Sequence, residues 1–187
     1  MDMNLAHPMV LLLRMVFDIA IIFILLRFFL QAVRADFYNP ITQSIVRITN
    51  PLLQPLRRVI PQVRGQDSAA LVAAITVALL FLLLAYALTG GLPNIGALVL
   101  LAPLHVLELI LDMLFWGVII HAVLSWFPNA QRAPAARLLD QLISPLLQPI
   151  RRILPDLGGI DLSPIALLLL VQMIKIAVLP MLVSLVL

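Results

Sequence analysis

The sequence predicts an all-α integral membrane protein, in which four transmembrane helices form two parallel tandem repeats and the two long loops carry amphipathic interfacial helices. Apolar residues make up 63% of the 187 residues and charged residues 11%, whereas soluble domains average about 45–50% and about 25%. Most of a small soluble domain lies near its surface, so one core could not bury this much apolar area. The composition therefore excludes a soluble enzyme, a soluble nucleic-acid-binding domain and a disordered chain.

Four apolar runs supply the predicted spans, and they cover residues 9–33, 69–88, 103–127 and 164–187. A helix needs about 20 apolar residues to cross a bilayer, and the first run extends over about 37 Å at 1.5 Å per residue. The third run is either a simple span or a span preceded by an interfacial piece that starts at Ile95. Each run is long enough to cross the membrane.

A proline-arginine motif occurs twice in the chain. The segment 50–61, NPLLQPLRRVIP, recurs at 144–155 as SPLLQPIRRILP, with eight of twelve positions identical at an offset of 94. The same offset, without a gap, pairs Pro40 with Pro134, Asp67 with Asp161, and Asp18 with Asp112. The chain is therefore interpreted as a tandem duplication of residues 1–93 and 94–187, each half reading span, loop, span. An even number of spans per half makes the repeats parallel, related by an axis along the membrane normal.

Arginine is concentrated in the two long loops. Nine of the twelve basic residues fall in 34–68 and 128–163, whereas the short link 89–94 carries no charge. The positive-inside rule then places both loops in the cytoplasm and both termini outside. The expected partner of the loops is an anionic lipid surface, and the lack of interleaved aromatic residues argues against nucleic acid. The chain contains no cysteine, which excludes disulfides and thiolate metal sites.

The pattern of each loop predicts two short amphipathic helices separated by a proline. The break is expected at Pro51 in the first loop and at Pro145 in the second, because proline disfavours a helical conformation in the residue before it. Basic amphipathic segments of this kind lie in the headgroup region, where they either only anchor the protein or form a docking or gating surface for a protein partner. The candidate membrane-surface and partner-binding residues are Arg57, Arg58, Arg151, Arg152, Pro51, Pro55, Pro145 and Pro149.

Three positions predict helix starts around these loops. Asn39 followed by Pro40 is a typical N-cap and first helical residue. Asp67 and Asp161 stand where the chain re-enters the membrane, and both are expected to cap the spans that follow.

A charge cluster is predicted within the spans, and its members are Arg14, Asp18, Glu108, Asp112 and Lys175. An ionisable residue at mid-helix costs about 2.5–3.5 kcal/mol, so each needs a partner or a function. Arg14 lies one helical turn from Asp18 and could meet Glu108 across the repeat interface, and a Lys175–Asp112 pair is expected from their similar depth. The cluster is a set of structural ion pairs, a polar pathway for ions or protons, or an exposed arrangement. A pathway through only four spans would need several copies, so a homo-oligomer stays open.

The sequence contains no Walker loop, no Gly-x-Ser-x-Gly and no His-Glu-x-x-His motif. His105 and His121 are sixteen residues apart on one predicted helix, too far to bind one metal ion together. We therefore expect no enzyme activity, no cofactor and no metal site.

The twin proline-arginine motif, placed between two spans in two copies, resembles the YggT (YlmG) family of bacterial and plastid membrane proteins over nearly the whole chain. Residues 125–127 are Ser-Trp-Phe, which often closes the first span of that family's repeat, whereas residues 31–33 are Gln-Ala-Val. The resemblance implies roles in osmotic-stress tolerance, ion uptake, division and nucleoid organisation, or plastid cytochrome cofactor assembly, and it implies no catalytic residues. The leading hypothesis is a non-enzymatic membrane factor for osmotic or envelope homeostasis, with an ion channel or transporter and an assembly factor as alternatives.

Overall fold

The computed structural model describes residues 8–63, 65–90, 94–127, 129–154 and 161–186, and the described part contains helices and turns without a β-sheet. The helices are α1 (Pro8–Ala32), α2 (Pro40–Arg57), α3 (Ser68–Thr89), α4 (Ile95–Ser125), α5 (Pro134–Ile153), α6 (Ser163–Met173) and α7 (Leu179–Ser184), with a 3₁₀ turn at Ala130–Arg132 and a π-helical segment at Ile174–Val178.

Four helical stretches are long and apolar enough to cross a membrane: α1, α3, α4 and the continuous stretch Ser163–Ser184. The predicted four spans are confirmed. The third begins at Ile95 as a single helix that runs through Pro103, so no separate interfacial piece precedes it. The predicted junction between the halves falls between Pro93 and Asn94, and Pro93 lies outside the described residues.

The most buried span is α3, which packs against both α1 and α4. Its buried face is dominated by alanine, at positions Ala69, Ala70, Ala73, Ala74, Ala78 and Ala85. Small side chains let neighbouring helices approach closely, which is how membrane helices gain van der Waals contact. The fourth span is peripheral by comparison, with 11% of its apolar window buried against 39% in α3.

The fourth span changes its helical geometry near the middle. Between α6 and α7 the backbone widens into the π-helical segment Ile174–Val178, and Pro180 follows directly. Proline has no N–H to donate to the carbonyl of Ile176. Wide turns of this kind are a common response to such a disruption. Lys175 therefore lies on a locally distorted part of the span.

The loop helices α2 and α5 are each continuous, so the predicted breaks at Pro51 and Pro145 are wrong. All four internal prolines, including Pro55 and Pro149, lie on the exposed side of their helices. The carbonyls that lose a partner belong to residues four positions earlier, which are also exposed and can bond to water or headgroups. The buried faces stay intact, and packing of those faces keeps each helix whole.

The two loop helices meet at the same end of the bundle. The Asn39 side chain accepts a hydrogen bond from the Ile41 N–H at 2.9 Å, which confirms the predicted cap, and its Nδ2 donates to the Pro134 carbonyl at 2.8 Å. The Asp36 N–H donates to Gln141 Oε1 at 3.2 Å. These bonds join the start of α2 to the start of α5, and they hold the two repeats together outside the spans.

Candidate functional site

Arg14 connects the two repeats inside the apolar part of the bundle. Its Nη2 lies 3.3 Å from Glu108 Oε1 on α4, and its Nε lies 3.4 Å from Asp18 Oδ2 one turn along α1. The predicted contact between Arg14 and Glu108 is present. Because these residues come from opposite halves, the guanidinium links the repeats by charge as well as by packing.

His105 completes this group, and sequence reasoning missed it. Its Nε2 lies 2.7 Å from Asp18 Oδ1, and its Nδ1 lies 3.7 Å from Glu108 Oε2. The imidazole is 9% exposed and stacks on Phe81, with ring centroids 5.4 Å apart. The available signal was its position three residues before Glu108, which places both side chains on one face of α4.

A second ion pair joins Lys175 to Asp112, as predicted. Their side chains are 24% and 36% exposed, so part of this pair faces the surroundings of the bundle. The repeat offset of 94 aligns Lys175 with Phe81 and Asp112 with Asp18. The first half thus has an aromatic ring where the second has an ammonium, and Arg14 and His105 contact Asp18 there.

Both groups lie well inside the spans. Asp18 is ten residues from the start of α1 and Lys175 is twelve from the start of the fourth span, which corresponds to about 15 Å and about 18 Å of helix. With His105 protonated, the three bases balance the three acids. A neutral sum lowers the cost of placing these groups in an apolar medium.

The first arginine of each loop motif is held by an aspartate ten residues later. Arg57 pairs with the buried Asp67, with Nε 3.4 Å from Oδ1, and Arg151 pairs with Asp161, with Nη2 2.7 Å from Oδ2. Each pair fastens the end of a loop helix to the start of the next span. We name these two contacts the Arg–Asp clamps.

The clamps revise the predicted role of the aspartates. Asp67 makes no side-chain cap bond to α3, because its carboxylate is taken by Arg57. Asp161 pairs with Arg151 and also caps the helix that follows, since its Oδ1 accepts from the Ser163 N–H at 2.9 Å. Burial raises the pKa of Asp161, but the bonds from Ser163 and Arg151 outweigh it, so this pKa lies below its usual value.

The second arginine of each motif, Arg58 and Arg152, is exposed. The four motif prolines share that exposed side, so the structure brings the predicted partner-binding residues to one end of the bundle. Arg64, another basic residue of the first loop, lies outside the described residues. Among the residues described, no group of three or more histidine and carboxylate side chains is arranged to hold a metal ion.

The duplicated architecture has a direct counterpart among known families. The family model described as CCB3/YggT matches this chain twice, over residues 6–88 and 100–182. The chain belongs to the CCB3/YggT family. The two matched segments start 94 residues apart, which equals the offset of the motif repeat. The clamps and the charged groups of both halves fall within these segments.

Relatives within the CCB3/YggT family cover most of the chain. An uncharacterised protein of Pseudomonas aeruginosa, PA0392, is 42% identical over 163 residues, covering 84% of this chain and 81% of its own. The uncharacterised protein YggT of Escherichia coli is 39% identical over 170 residues, covering 89% and 87%. An uncharacterised protein of Vibrio alginolyticus is 39% identical over 163 residues, covering 86% and 88%. No solved structure matches this chain.

Proposed function

We propose that this YggT-family chain is a non-enzymatic inner-membrane protein that supports osmotic-stress or envelope homeostasis through the loop-side surface formed by α2 and α5. The observation that carries the proposal is the placement of two basic amphipathic helices that meet at one end of the bundle, each clamped to a span. A surface fixed in advance loses little conformational entropy when it binds. The exposed Arg58 and Arg152 give it positive charge.

The apolar side of α2 supports an interfacial position for this surface. Ile41, Ile48 and Leu52 are exposed, and at 100° per residue they lie within about 40° of one another, next to the buried face. Exposed apolar stripes beside a basic face are typical of helices that lie in the headgroup region. We therefore place anionic lipid against this side and a protein partner on the polar side.

The concentration of arginine in the two long loops favours cytoplasmic loops and external termini in the inner membrane. The chain has no native cysteine, so single cysteines can report on sidedness. We expect Gln148→Cys on α5 to react with a membrane-impermeant maleimide only after permeabilisation. Ile95→Cys, at the opposite end of the spans, should react in intact cells. The reverse pattern would contradict this orientation.

Complementation under hyperosmotic stress tests the proposed surface, in a bacterial strain that lacks its own YggT-family gene. The informative variant is Arg58→Gln with Arg152→Gln, which removes the second arginine of each motif and leaves both clamps intact. The matched control is Arg57→Gln with Arg151→Gln, which removes the same charge from the clamped positions. Membrane levels and melting temperatures are measured for both.

We expect the Arg58/Arg152 variant to reach normal abundance and fail to complement. The Arg57/Arg151 variant should have a lower melting temperature than the wild type, because Asp67 and Asp161 are left without their cationic partners. Full growth of a stable Arg58/Arg152 variant would refute a role for the loop-side surface. An assembly role at the same surface is distinguished by crosslinking from α2 and α5, which should then capture one membrane complex.

Ion transport is the second candidate, and one observation favours it. His105 lies between Asp18 and Glu108 within the spans, and a histidine that contacts two carboxylates can exchange protons with them. Purified protein in liposomes should then pass a cation or protons, and Asp112→Asn and Lys175→Gln should change the rate. Flux equal to that of empty liposomes, from well-folded protein, would exclude this candidate.

A further inference from the structure

A cavity of about 480 Å³ opens between the end of α4 and the first half of α5. This volume falls in the range of small-molecule sites, about 300–1,000 Å³. Most of its lining side chains are polar, and the lining residues are His121, Leu124, Ser125, Gln131, Arg137 and Asp140, together with Ala136 and Gln141. The cavity is separate from the charged groups of the spans and from the Arg–Asp clamps.

The cavity presents one cation and one anion to its interior. Asp140 Oδ1 lies 3.0 Å from His121 Nε2 and accepts from the Ser144 hydroxyl at 2.6 Å. The Ser144 bond, with help from His121, holds the pKa of Asp140 below its usual value against the effect of burial, so the carboxylate is ionised at neutral pH. Arg137 lies one turn away and makes no ion pair within the described part of the chain.

The cavity wall is held in place by its own hydrogen bonds. Gln131 Nε2 donates to the carbonyls of Leu124 and Ser125 at 3.3 and 3.2 Å, which gives two carbonyls at the end of α4 a hydrogen-bond donor.

The cavity adjoins the loop-side end of α4, where Trp126 and Phe127 are 78% and 56% exposed. Aromatic residues at such ends occupy the interface between hydrocarbon and headgroups. The cavity therefore opens where phosphate and amine groups of lipids are concentrated.

The arginine and the aspartate of the cavity occur only in the second repeat. At the offset of 94, Arg137 aligns with Gln43 and Asp140 with Val46. Both of those residues stand on α2, which packs on its spans as α5 does. The acid and the base are therefore not needed to build this helix, and the first repeat shows which neutral residues the same position accepts.

We propose that this cavity binds the headgroup of a loop-side phospholipid that carries a phosphodiester and a primary ammonium, as in phosphatidylethanolamine. Arg137 contacts the phosphate, and Asp140 accepts hydrogen bonds from the ammonium. This site is independent of the partner surface in the proposed function, because it lies in a cavity and needs neither Arg58 nor Arg152.

The test uses the full chain in nanodiscs of defined lipid, with bound lipid counted by native mass spectrometry. Phosphatidylethanolamine is compared with phosphatidylcholine, whose ammonium has no N–H, and with phosphatidylglycerol, which has no amine. Arg137→Gln and Asp140→Val place the first repeat's residues in the cavity. Arg47→Gln removes an exposed arginine from α2 and serves as the matched control. Soluble glycerophosphoethanolamine is added in a separate competition.

We expect preferential retention of phosphatidylethanolamine by the wild type and by Arg47→Gln. Asp140→Val should lose about tenfold in that preference, as expected for a hydrogen bond to a charged group. Arg137→Gln should instead lose about tenfold in the retention of all three lipids, because they share the phosphate. Equal retention of the three lipids by the wild type, or unchanged preference in Asp140→Val together with unchanged retention in Arg137→Gln, would overturn the proposal. Displacement by the soluble compound at equal concentration would overturn a lipid as the source. The lipid comparison needs only wild-type protein, so it decides the question even if a variant fails to fold.

Discussion

Breaking the Lys175–Asp112 pair tests whether the charges within the spans are structural. Lys175→Met leaves the Asp112 carboxylate without its cation inside the bundle, at a site where both side chains are only partly exposed. Removing one partner of a buried pair costs about 3–5 kcal/mol, and a lone mid-helix charge costs about 2.5–3.5 kcal/mol on insertion scales. We therefore expect the free energy of unfolding to fall by about 3 kcal/mol, the value at which these ranges overlap.

The double variant separates the pair from its single members. Replacing both residues with apolar ones of similar size, Asp112→Leu with Lys175→Met, is expected to change stability by no more than about 1 kcal/mol, because apolar replacement of a buried pair is often neutral or stabilising. Lys175→Arg keeps the charge and serves as the control. The singles and the double form a thermodynamic cycle whose coupling is several kcal/mol.

The assay is reversible unfolding in bicelles, titrated with sodium dodecyl sulfate and followed by tryptophan fluorescence. The chain has two tryptophans, and Trp116 lies one helical turn from Asp112 on α4, so it reports on this region. Single variants as stable as the wild type, or a double variant as unstable as the sum of both singles, would refute the structural account. Stable double variants that lose ion flux would favour a pathway instead.

Three further predictions concern packing, pH and the start of α2. Gly117→Val should cost about 1–3 kcal/mol by overpacking, because a Cβ added at this position would lie 3.1 Å from the Ile143 side chain on α5. Gly117→Ala should change the melting temperature little, because it also gains about 1 kcal/mol of helix propensity. The pKa of Asp161 is lowered in the folded protein. Its bond to Arg151 therefore stabilises the fold above the unfolded pKa of about 3.9, and this stabilisation is lost as pH falls through the folded pKa. Asp161→Asn should lower the melting temperature at pH 7 but match the wild type at the acid end of the titration. Asn39→Ala should lower the free energy of unfolding by about 1–2 kcal/mol through loss of the cap. Asn39→Asp should recover only part of this loss in thermal melts, because it keeps the acceptor for Ile41 but loses the donor to Pro134. Full recovery would show that the bond between α2 and α5 contributes nothing.

The parts of the fold that the sequence predicted correctly depend on length, periodicity and repetition. Apolar runs of membrane length gave the four spans, and the gapless offset gave the two repeats. Two ion pairs were also predictable, since Arg14 and Glu108 occupy equivalent positions in facing halves and Lys175 and Asp112 share a depth. In each case, the position of the residues along the sequence was enough.

The errors arise where local rules compete with tertiary contacts. Proline at positions 51 and 145 predicted helix breaks, but each proline is on an exposed face, so burial of the opposite face outweighed the lost hydrogen bonds. The clamps were missed because Arg57 and Asp67 are separated by a turn, and no periodicity relates residues across a turn. His105 was read only as a metal-ligand candidate, and its two carboxylate contacts depend on how α1 packs against α4.

The π-helical segment sets a limit on how far the two halves correspond in space. Sequence alignment pairs the halves residue by residue over both matched segments, yet α3 stays α-helical where residues 174–178 do not. A π turn uses about one more residue than an α turn, and one residue is a rotation of about 100° around the axis. Beyond Val178, aligned residues of the two repeats therefore face different directions. Chimeras that exchange halves should be joined before this segment, and substitutions tolerated near the end of α3 are a poor guide to those tolerated in α7.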